Sequence, residues 1–107
     1  MTKIFLQGDY TTAGAKGLLR DGGSGREQAV QKLAASLGGS LDSIHFSASS
    51  PSYFIILNVP DKVSAAALAT AVIASGAVTI NQSVEILTPS EMDAAVKKDP
   101  AYRAPGA

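Results

Sequence analysis

The sequence predicts an α+β domain with the element order β-α-β-β-α-β, and three observations lead there. Apolar residues alternate with period two in short runs. Two longer segments between those runs carry apolar residues three and four apart, as one face of a helix requires. Clusters of Gly, Pro, Ser and Asp punctuate the chain where the period changes.

The first strand is Thr2–Asp9, with Ile4, Leu6 and Gly8 on one face and Lys3, Phe5, Gln7 and Asp9 on the other. Tyr10-Thr11-Thr12 offers a hydroxyl cap to a short helix carrying Ala15, Leu18 and Leu19, which Asp21-Gly22-Gly23 breaks. Ser24-Gly25-Arg26-Glu27 reads as a capping box. The Ser24 hydroxyl would accept from the Glu27 amide, and the Glu27 carboxylate from the Ser24 amide. The helix it starts presents Val30, Leu33, Ala34 and Leu37 as one stripe and stops at Gly38-Gly39. The glycines of "GGSGR" lack the Gly-Lys-Ser/Thr ending of a phosphate loop, and a helix rather than a strand feeds them. They read as a joint between two helical pieces.

Residues 40–48 form the second strand, with Ile44, Phe46 and Ala48 opposite Ser43, His45 and Ser47. After the turn residues "SSPS" comes "YFIILNV", residues 53–59, a nearly continuous apolar run expected at the sheet centre. Pro60-Asp61 caps a helix over 62–75, with Val63, Ala67, Leu68, Ala71 and Val72 as its buried stripe. In the last strand, over 77–87, Val78, Ile80, Val84 and Ile86 share one face, and Thr79, Asn81, Ser83 and Glu85 the other. Thr88-Pro89-Ser90-Glu91 is a second capping box, opening a helix that ends near Lys98.

Two βαβ halves joined by a hairpin make a ferredoxin-like sandwich, here with an extra C-terminal helix. Right-handed crossovers set both main helices on one sheet face, and the other face is left bare. Residues 1–98 make the single domain and 99–107 a tail.

Composition excludes several functions. Nine basic and nine acidic side chains cancel, so nothing draws the chain toward nucleic acid or an anionic membrane. The absence of cysteine removes disulfides, thiolate catalysis and Cys-ligated metal. The N-terminus carries no signal-peptide pattern, and the most apolar window, 63–73, is too short to span a bilayer. A cytoplasmic protein is expected. With one histidine, neither a metal nor any other cofactor is expected.

The bare face combines Phe5, Phe54 and Ile56 with Gln7, Asp9, His45, Asn58 and Glu85. A solvated face needs no such aromatics, and a sealed one would leave the polar groups without partners. A second copy packing its sheet there, as a dimeric α/β barrel, accounts for both and leaves a partly polar cavity. The candidate ligand-binding residues are Gln7, Asp9, His45, Phe54, Asn58 and Glu85. The first expectation is a homo-oligomer that binds a small organic molecule without catalysis. The second is an enzyme of the cofactorless oxygenase or isomerase type. In it His45 carries a proton, Asp9 or Glu85 orients it, and Gln7 or Asn58 holds an oxyanion. The third is a purely structural oligomer.

The segments "YTTAGAKGLLRDGGSGREQAVQKLAASLGGSLDSIHFS", "SYFIILNVPD", "ALATAVIASGAVTI" and "LTPSEMDAAVKK" resemble, in order and spacing, the GYD-domain family of small bacterial proteins. The closing "YRAPGA" resembles one branch of it. The family takes its name from a Gly-Tyr-Asp triplet at the start of the third strand, where this chain reads Ser52-Tyr53-Phe54. The resemblance implies a ferredoxin-like fold and self-association, and it implies no reaction.

Overall fold

A computed structural model describes residues 1–107. Its elements, in order, are β1 (Thr2–Asp9), α1 (Thr12–Ser36), β2 (Ser40–Phe46), β3 (Ser52–Val59), α2 (Lys62–Ala74), β4 (Gln82–Ile86) and α3 (Pro89–Val96). The strands lie in the order β2-β3-β1-β4, and every neighbouring pair is antiparallel. β1 and β2 therefore run the same way with β3 between them, as in a split βαβ unit. This mixed α/β architecture is compatible with the ferredoxin-like fold. No helix is long and apolar enough to cross a membrane.

The core lies between the helices and one sheet face. Ile4 and Leu6 from β1 and Tyr53, Ile55, Leu57 and Val59 from β3 meet Tyr10, Val30 and Leu68 there. The alternation of β1 is as expected; β3 takes the central place its apolar run predicts but is buried on one face only, Phe54 being 36% exposed.

The glycine joint stands where it was expected, with two helical pieces meeting at a kink. α1 runs from Thr12 to Ser36 and bends at Gly22, whose φ of 71° takes it out of the helical region. Such an angle disfavours any residue with a Cβ. The second piece continues at once, and the Ser24–Glu27 capping box does not form. Elsewhere the caps agree with expectation. The Thr11 hydroxyl accepts from the Gly14 amide, the Asp61 carboxylate from the Ser64 amide, and Thr88 and Glu91 close a full capping box.

α2 departs from its predicted stripe. Leu68 is buried and Ala65 and Val72 pack against the core, but Ala67 and Ala71 are exposed, and Val63 is 72% exposed. The apolar residues of α2 are not confined to one side, so periodicity cannot single out its inner face.

The last strand holds the largest correction. Tyr10 bridges Val78, and Gln7 pairs with Gln82. The two pairings differ by one residue in register, which inserts a bulge between Val78 and Gln82. The amide of Asn81 donates to the Gln7 carbonyl, so Asn81 and Gln82 both oppose Gln7. Beyond the bulge every side chain changes face. Val84 lies opposite Phe5 and Ile86 opposite Lys3 on the bare face, whereas Ser83 and Glu85 lie opposite the core residues Leu6 and Ile4.

α3 has no buried residue. The molecule is correspondingly elongated, 56 Å in its longest dimension with a radius of gyration of 16.7 Å. A compact domain of this length has a radius near 13 Å, by the usual scaling.

The open sheet face as candidate functional site

Strand register sorts the bare face into rows, because residues directly opposite each other share a face. One row reads His45, Phe54, Gln7, Gln82 across β2, β3, β1 and β4. The next reads Ser43, Ile56, Phe5, Val84. The third reads Ser40, Asn58, Lys3, Ile86. The middle of the face is thus an apolar band. Phe54 and Val84 are exposed in it, and Phe5 and Ile56 are partly exposed. No helix of the chain covers this band. The amides of Gln7 and Gln82 and the imidazole of His45 stand along one side of it.

At the other side Lys3 forms an ion pair with Asp42. The Asn58 amide donates to Asp42 at 2.9 Å and to the Ser40 hydroxyl at 3.1 Å. The Lys3 ammonium, ahead of all other influences, holds the Asp42 carboxyl below its ordinary value. Asn58 is therefore engaged by its neighbours and lies two rows from His45.

Asp9 is similarly engaged, at the end of β1. Its carboxylate accepts from the Ser52 hydroxyl at 2.5 Å and the Asn81 amide at 2.9 Å. These two bonds, Ser52 first, lower its pKa against a small opposing effect of burial. They tie β3 and the bulge onto β1. Beneath this cluster Tyr53 donates from its hydroxyl to the Thr79 carbonyl at 2.6 Å and meets Tyr10 edge-on at 5.8 Å. Burial, followed by the neighbouring Tyr10 and Asp9, pushes the Tyr53 pKa up to about 12.

Of the six sequence-predicted residues, Gln7, His45 and Phe54 form one row. Asp9 and Asn58 lie at opposite ends of the face, and Glu85 is on the other face altogether. His45 is exposed on the edge strand β2. Neither carboxylate expected to orient it is free to do so, since Asp9 is bonded to Ser52 and Asn81 and Glu85 points away. Sequence reasoning missed Val84, Ile86, Gln82 and the Lys3–Asp42 pair. For the first three the signal was Gln82 itself, a polar residue interrupting the apolar even-numbered positions of the last strand. No group of three or more His, Cys, Asp or Glu is placed to hold a metal.

The model of the GYD domain matches residues 5–96 of the chain. No curated protein and no solved structure matches it.

Proposed function

This chain belongs to the GYD-domain family, and from that premise we propose that it is a self-associating protein that binds a small organic molecule on its open sheet face, without catalysis. The observation that carries this reading is the uncovered band of Phe5, Phe54, Ile56 and Val84, flanked by Gln7, Gln82 and His45. Apolar side chains in such a band gain about 25 cal/mol for each Å² removed from water. Two copies meeting face to face, as in a dimeric α/β barrel, cover the band and leave the amides lining the space between sheets. A ligand suited to that space is flat and largely apolar, with a carbonyl or hydroxyl for the glutamines to bond.

The binding reading is favoured over catalysis because His45 has no group positioned to fix its tautomer or its orientation. The test combines sedimentation equilibrium with binding of the apolar dye Nile red. The full chain is expected to dimerise or assemble further and to enhance the dye's emission. Ile56→Asp is expected to abolish both while circular dichroism stays native. A monomeric full chain, or an Ile56→Asp variant that associates normally, would refute the reading.

A further inference from the structure

The helix side of the sheet holds a feature that the open face does not use. Beside the kink of α1 lies a half-enclosed recess of about 100 Å³, between the first piece of that helix and the segment leading to β4. Tyr10, Gly14, Gly17, Leu18 and Val78 are among the residues that line it, and Arg26 reaches it from the second piece. The left-handed φ of Gly22 turns that second piece, so that Arg26 stands beside the first.

The Nε of Arg26 is buried and donates to no acceptor in the chain. Arg26 forms no ion pair either, the only one being Lys3–Asp42. A buried donor without an acceptor is costly, most of all a charged one. Native structures rarely keep such a group without a water, an ion or a ligand to bond. Gly17 is a second, independent oddity. Its φ is not positive, and a Cβ there would meet nothing within 4 Å. Glycine weakens a helix interior relative to alanine, so neither backbone nor packing accounts for it. What it does is keep one wall of the recess open.

Arg26 and Val78 also border a larger cleft of about 320 Å³, walled by Leu33 from α1 and by Ala71 and Val72 from α2. The guanidinium side chain therefore stands where a small recess meets an apolar space. Its planar fork suits an anion with two oxygens to offer, a carboxylate or a phosphate. Charge decides between them. Asp21 borders the recess without pairing with Arg26, and no other charged side chain borders either space. One cation with a carboxylate nearby repels a dianion more than a monoanion. The apolar cleft asks for an apolar body to fill it.

We propose that Arg26 anchors a second ligand site, which takes a monocarboxylate with an apolar body. The carboxylate sits on the guanidinium in the recess, and the body lies between α1 and α2. Val78, at the floor, packs against the core, so the site is on the opposite side of the sheet from Phe54 and Ile56. It does not depend on the open-face reading.

Isothermal titration calorimetry with octanoate, 1-octanol and inorganic phosphate separates the head from the body. Octanoate is expected to bind the full chain, and the other two at least about tenfold more weakly. Arg26→Gln is expected to weaken octanoate binding about tenfold or more, circular dichroism remaining native. Gly17→Leu, which fills the recess and leaves Arg26 in place, is expected to do the same. In heteronuclear NMR the Nε–H of Arg26, identified by its loss in Arg26→Gln, is expected to shift with octanoate while those of Arg20 and Arg103 do not. Octanoate that fails to bind, or that binds Arg26→Gln as tightly as the parent, would overturn the proposal. So would 1-octanol or phosphate binding as tightly as octanoate. Ile56→Asp is expected to keep octanoate binding within about twofold. If it abolishes that binding while Arg26→Gln does not, octanoate sits on the open face and the Arg26 site fails. If Ile56→Asp self-associates normally while Arg26→Gln loses octanoate, the open-face reading fails and the Arg26 site stands.

Discussion

Gly14 and Gly17 lie one turn apart in α1 and have opposite reasons for existing. A Cβ on Gly14 would come within 1.8 Å of the Ala77 carbonyl oxygen, so the glycine is what lets α1 sit on the segment leading to β4. A Cβ on Gly17 would meet nothing within 4 Å. Gly14→Ala is expected to destabilise the fold by about 2 kcal/mol through forced backbone shifts. Gly17→Ala is expected to stabilise it by about 1 kcal/mol, from helix propensity alone. Urea denaturation of both variants checks the pair, and equal signs would contradict the packing described. Asp9 supplies a pH test. Its folded pKa lies below the ordinary 3.8 because Ser52 and Asn81 donate to the carboxylate. A depressed carboxyl contributes stability above the unfolded pKa and loses it as pH falls through the folded one. Asp9→Asn is therefore expected to flatten the fall in melting temperature below about pH 4. A slope unchanged from the parent would mean that the Ser52 and Asn81 bonds do not hold in solution.

At the scale of elements, the sequence was most legible where one physical rule acted alone. β1 and β3 are central strands packed on a core; the period-two pattern of β1 placed Ile4 and Leu6 on the correct face, and the continuous apolar run of β3 marked its place at the sheet centre. The Thr11, Asp61 and Thr88 caps were legible for a similar reason, since a hydroxyl or carboxylate before an apolar stripe has one local use. Legibility failed where tertiary structure overrode a local pattern. Gly22 kinks α1 at the expected joint, but the second piece resumes before Ser24, so Ser24 never became a cap. β4 and the segment leading into it pair in two registers, and a bulge of one residue between them leaves the apolar pattern intact while reversing what it faces. The reversal moved Glu85 out of the candidate site and brought Val84 in. Its consequence is measurable by sedimentation. Val84→Lys, placing a charge in the apolar band, is expected to weaken association about tenfold or more. Glu85→Lys, on the other face, is expected to change it by less than about 0.5 kcal/mol. The opposite ranking would restore the unbulged strand.

The whole molecule is thinly cored for its length. Only 13 of its 107 residues are buried, and α3 adds nothing to the core. Small domains are marginal because so little of their surface leaves water on folding. A chain in that position gains from any contact that binds the folded state and not the unfolded one. The open face is such a contact in the proposed dimer, and folding and association are then one equilibrium. The melting temperature of the full chain is accordingly expected to rise with protein concentration, by mass action. For Ile56→Asp it is expected to be lower and to depend less on concentration, because the sheet-face contact no longer contributes. Differential scanning calorimetry over a hundredfold range of concentration measures this directly. A melting temperature independent of concentration in the full chain would mean that the monomer is stable on its own core. The uncovered Phe54, Ile56 and Val84 would then need some explanation other than a second copy.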